Sequence, residues 1–247
     1  MSDQKNLQFG PEAANDNAET LPGTAQTADD VMALLEGAAA NDDKNIKVAG
    51  VKLTVSPQEA LEKFKQALQI ARDKLQKLGI EVDLDDVQFQ KLEGNMAGES
   101  TERAALLDPA LFRHPYYVIA EVMTHEETHQ NESIPNEGLV QLIVEQLYGG
   151  SSNVQHEYAQ MVDNFKVFVE RCGVEALEIY KLYEAHNFEG IAKLYDKSYV
   201  STLKTESEKD EAYDFYSKIF PELHYTEEGK TDIVDVDTDM LEVPAAA

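Results

Sequence analysis

Residues 125–129 read His-Glu-Glu-Thr-His. In a helix, positions i and i+4 share one face and lie about 6 Å apart along the axis. His125 and His129 can therefore offer imidazole nitrogens to one divalent ion at roughly 2.0–2.1 Å, a geometry that suits zinc. Glu126 stands beside the first histidine, where its carboxylate can reach a water on the ion rather than the ion itself. Zinc brings such a water's pKa near neutrality, and a glutamate in that position moves its proton to a leaving amine. The bland alternative is a solvated helix turn with two incidental histidines. It fits less well, because Val118, Val122 and His125 form a stripe that His129 extends, with Ile119, Met123 and Glu126 in the next stripe.

A catalytic zinc takes a third protein ligand and keeps one position for water. Glu132, Glu137 and Glu145 follow the histidines. Glu132 falls in the turn 131–135 and is expected in solvent. Asn136 can cap a helix that Glu137 opens, and Gly138 lets another backbone come close. A helix running back antiparallel to the first would bring Glu137 near His129, so Glu137 is the expected ligand; its competing role is charge stabilisation of a helix N-terminus. Glu145, two turns on, suits a hydrogen-bond acceptor for a ligand imidazole or a solvated face. Hydrolysis also needs a donor to the oxyanion. Tyr148, His156 and Tyr158 surround the turn Gly149-Gly150-Ser151-Ser152 and are the candidates, of which His156 and Tyr158 are the chosen pair; packed tyrosines or a surface histidine are the competing readings.

These residues need elements to hold them. Ile46, Val48, Val51, Leu53 and Val55 alternate around Gly50 as in a short hairpin. Ser56-Pro57 opens a helix expected to run to about Leu78, with Gly79 as its stop. Strand pieces are expected between Ile80 and Leu92, a loop over Gly94–Thr101 and a short strand over Arg103–Leu107. His114-Pro115 starts the helix that carries the histidines, and Ile134-Pro135 ends it. Further helices are expected over 156–172, 174–185, 188–199 and 207–220. Phe165, Phe168, Val169, Leu177, Tyr180 and Tyr183 read as core, and Cys172 as a packed side chain. His114, His186 and His224 have no ligand-like spacing.

Outside this stretch the composition is acidic. Residues 1–44 and 225–247 are expected to be disordered acidic arms, apart from a short helix over Ala28–Ala40 that could dock on the core. The expected folded domain is 45–224, with sheet and helices over 45–130 and a helical subdomain over 131–224. Against 47 Asp and Glu the 247 residues carry 21 Lys and Arg, a net charge of −26. That field repels nucleic-acid backbones and anionic membrane surfaces. No stretch of about 18 apolar residues occurs. The single cysteine and the lack of a recognisable secretion signal fit a cytoplasmic protein.

The segment Val122–Val144, VMTHEETHQNESIPNEGLVQLIV, resembles the gluzincin metallopeptidases, which carry His-Glu-x-x-His on one helix and a glutamate, often in Asn-Glu-Gly-Leu, on the next. The resemblance implies an α+β, zincin-like fold, with His125, His129 and Glu137 as Zn2+ ligands, Glu126 as general base and a peptide or protein substrate. It also implies that Arg103–Leu107 is the edge strand on which a peptide pairs. Glu127 stands where the family usually has an apolar residue, which suggests a more open helix or a contact to substrate or to the N-terminal arm. Seven residues separate His129 from Glu137, a short connection. The alternative is an acidic interaction or virion-associated protein that keeps a zincin-like fold without turnover.

Overall fold

The computed structural model describes residues 6–8, 25–80, 86–94, 96–101, 104–130, 136–149, 159–220, 223–225 and 231–233. Two compact units are present, one over Gln4–Ala159 and one from Gln160 onward. The chain is mixed α and β, mostly helical with a small mixed sheet.

The first unit opens with β1 (Asn6–Gln8), β2 (Gln26–Thr27) and α1 (Ala28–Asn41). The Thr27 side chain caps α1 by accepting from the Asp30 amide at 3.2 Å. Val31 and Leu35 are fully buried, so the helix expected over 28–40 is built into the unit. The hairpin follows as β3 (Lys47–Val48) and β4 (Val51–Lys52). Ala49 and Gly50 both have positive φ, 45° and 80°, the pattern of a two-residue hairpin turn. The Gln26 side chain holds this strained turn by accepting from the Ala49 amide at 2.6 Å. Ser56 caps α2 (Pro57–Leu75) through the Glu59 amide, and after a short 3-10 turn Gly79 ends it in the left-handed region.

Next come β5 (Val87–Phe89), β6 (Met96–Ser100) and β7 (Ala105–Leu107). The five strands of the main sheet are ordered β1-β6-β7-β5-β2, with β5 and β7 parallel and the other pairs antiparallel. Two expectations are corrected here. The stretch 94–101 is no loop: it contains β6, whose small Ala97 and Gly98 give little strand signal but permit close packing. Nor is β7 an edge, since β6 and β5 flank it.

A 3-10 segment (Pro109–Arg113) leads from β7 into α3 (Tyr116–Gln130). Buried Asp108 fixes this corner: one carboxylate oxygen accepts from the Ala110 amide at 2.7 Å, and the other accepts from the Leu92 amide and the Lys91 ammonium. Phe112 stacks on Phe89 at 5.3 Å, and Phe64 meets both rings edge-on, tying α2, β5 and the approach to α3 together. α3 touches α2, β6, β7 and α4 (Glu137–Leu147). It is therefore buried on every side from Val118 to His129, including Glu121, Glu126 and Glu127. The more open helix suggested by Glu127 is not found: that side chain is 4% exposed.

The second unit holds α5 (Ala159–Cys172) from its second residue on, α6 (Ala176–Glu184), α7 (Phe188–Ser198) and α8 (Glu206–Ile219). A capping box between Thr205 and Glu208 starts α8. The core is aromatic: Phe168 stacks on Tyr195 at 5.1 Å and meets Tyr216 and Phe220. Cys172 is buried, and burial pushes its thiol pKa up to about 12. At the end of the expected domain, β8 (Leu223–Tyr225) pairs antiparallel with β9 (Thr231–Ile233), which lies in the tail expected to be disordered. Among the described residues no helix is long and apolar enough to cross a membrane.

Candidate metal centre

The centre lies between α3 and α4. One turn of α3 puts His125 above His129, and their Nε2 atoms lie 3.0 Å apart. The Asn136 side chain caps α4 by accepting from the amides of Gly138 and Leu139, which makes Glu137 the first helical residue. Its Oε2 lies 3.2 Å from Nε2 of each histidine. All three side chains are buried.

The triangle suits a metal ion. Ligand atoms at about 2.0–2.1 Å around a four-coordinate centre stand about 3.3–3.4 Å from one another, against the 3.0 and 3.2 Å found here. The ring orientation agrees: with Nδ1 of His125 3.0 Å from Oε1 of Gln141, Nε2 is turned into the triangle. Two imidazole nitrogens and a carboxylate oxygen, gathered away from water, need a cation or a proton between them. Burial raises the Glu137 carboxyl pKa, but hydrogen bonds and charge from His125 and His129 outweigh it and hold the group well below the usual carboxylate range. The anion is the form that ligates. Glu137 Oε1 and Gln141 Nε2 are buried with no hydrogen-bond partner among the described residues. The group His125, His129 and Glu137 could thus hold a metal ion.

Glu126 is fully buried on the face of α3 that meets β6. A Cβ placed on Gly98 would lie 2.6 Å from Glu126 Oε1 and 2.8 Å from its Cγ. The strand backbone therefore runs directly over this side chain.

Gln141 is the residue that sequence reasoning missed. Its signal was available: it lies four residues after Glu137 on a helix, hence on the same face. Glu145, weighed for the acceptor role, is half-buried two turns beyond Glu137, while the partner of His125 is Gln141. Tyr148, weighed as an oxyanion donor, shares a hydrogen bond of 2.8 Å with the Thr124 hydroxyl, and Lys74 lies over its ring. Burial raises its pKa well above the ordinary tyrosine value. His156, Tyr158 and Glu132 fall outside the described residues. No family model, curated protein or solved structure matches the chain.

Proposed function

We propose that the chain is a zinc-dependent peptidase of small gluzincin type, with a zincin-like arrangement of α3, α4 and the sheet, acting on peptide or protein substrates. The observation that carries this reading is the convergence of His125, His129 and Glu137 within 3.2 Å, one residue from a buried glutamate. Burying two histidines and several carboxylates on one helix turn is costly for a fold that has no use for them.

Two imidazoles and a carboxylate match zinc in ligand type and number. When bound, zinc supplies Lewis-acid polarisation of a peptide carbonyl and acidifies water to near neutrality. The chain's own groups do the rest. His125 is held in a ligating orientation by Gln141. Glu126 takes the proton of the attacking water and delivers it to the departing amine, and the apolar cover of β6 and Val122 keeps its carboxylate in place. His125, His129 and Glu137 would hold the ion, which would then have room for water or substrate.

The experiment is hydrolysis of fluorescein-labelled casein by the zinc-loaded full chain and by Glu126→Gln. Activity in the first and a loss of at least about a hundredfold in the second, with zinc retained, supports the reading. Equal rates assign the chemistry elsewhere, and no cleavage by either leaves a metal-binding protein without peptidase activity.

A further inference from the structure

We propose that the outer edge of β6 is a docking strand for an extended peptide, and that the chain's own segment Asn6–Gln8 occupies it, so that peptide and N-terminal strand compete. The assignment of the edge to substrate rests on the peptidase reading; the competition itself does not.

Strand order selects β6. β7 exchanges hydrogen bonds with β6 on one side and β5 on the other, so it has no edge to offer. β6 gives one side to β7 and the other to β1. It is also the strand whose Gly98 lies against Glu126. An extended chain added to its outer edge therefore runs alongside the strand that covers this carboxylate. β1 already does so, antiparallel, with Asn6 opposite Glu99 and Leu7 opposite Gly98.

The occupant is suited to leaving. The ladder spans three residues and its register shifts between Leu7 and Gln8, skipping Ala97. So short and irregular a pairing contributes little stability of its own. Its strength comes from tethering, which gives a linked segment an effective concentration of order millimolar. Once β1 leaves, β6 exposes a row of main-chain donors and acceptors, the template that β-addition requires.

The test uses the full chain, zinc-loaded and carrying Glu126→Gln so that nothing is cut, with a fluorescein-labelled peptide of residues 1–12 as probe. Inward-facing amides alternate along a strand, so Leu7→Pro together with Gln8→Pro removes an inward N–H in either phase. Fluorescence anisotropy should show binding at least about tenfold tighter than with the unaltered arm. A second form, Asn6→Cys with Glu99→Cys, locks β1 on β6 when oxidised; it should lose peptide binding, and reduction should restore it. Equal affinity in all forms overturns the inference. Hydrolysis separates the two readings. Cleavage that is indifferent to the cross-link, in the form that keeps Glu126, sinks the competition and spares the peptidase. Peptide binding governed by β1 in a protein that cleaves nothing does the reverse.

Discussion

Gly98 and Glu126 meet across the interface between β6 and α3, with room for a hydrogen and no more: a Cβ at 98 would stand 2.6 Å from Oε1 and 2.8 Å from Val122 Cγ1. A strand residue thereby fixes the position of a carboxylate on a helix 28 residues further along the chain.

Gly98→Ala should push the strand outward or the Glu126 side chain aside. Misplacing a catalytic group by about 1 Å costs on the order of a hundredfold in rate. On the proposed peptidase reading, casein hydrolysis should fall by at least about tenfold while zinc content stays at the wild-type level. Unchanged hydrolysis would mean that this contact does not position the proposed base.

Gln141→Leu should leave the helix intact and remove the partner of His125 Nδ1. Loss of such a partner weakens metal affinity by about 10- to 100-fold. Competition with a calibrated chelator measures it, and Gln141→Glu, which keeps an acceptor oxygen, should recover most of the loss. An affinity in Gln141→Leu equal to that of the wild type would remove Gln141 from the site.

The histidines, Glu137 and their helices were legible because the signals are local. Two residues four apart on a periodic stripe, and an asparagine before a glutamate and a glycine, specify their own geometry. Gly98 and the edge position were not, because sheet order is a long-range property. Ala97 and Gly98 have weak strand propensity, and the pairing of β1 with β6 joins residues about ninety positions apart. The place of α1 was hidden for a related reason: Val31 and Leu35 read as a short amphipathic helix, and only the surface of α2 shows that they are core.

Leu35→Ala tests that placement. The side chain is fully buried, and truncating such a leucine costs about 2–5 kcal/mol. Chemical denaturation should show a loss in that range, whereas a change under about 0.5 kcal/mol is what a surface substitution produces.

Glu99 gives a pH signature. Burial, and then the negative charge of Glu93, holds its carboxyl above the ordinary glutamate value. Folding therefore favours the protonated form. This group's contribution is most favourable below the unfolded pKa of about 4.3 and declines as pH rises from there through the folded value. Glu99→Gln should flatten the fall in stability across that window and raise stability at neutral pH. An identical pH profile for the two proteins would contradict it.

Metal analysis of the purified full chain by inductively coupled plasma mass spectrometry tests the triad most directly. After equilibration with zinc and removal of the excess, the wild type should hold about one zinc per chain, and His125→Ala combined with His129→Ala should hold none. A wild type that leaves zinc in solution, or a double variant that keeps a full equivalent, would contradict a metal centre built from His125, His129 and Glu137.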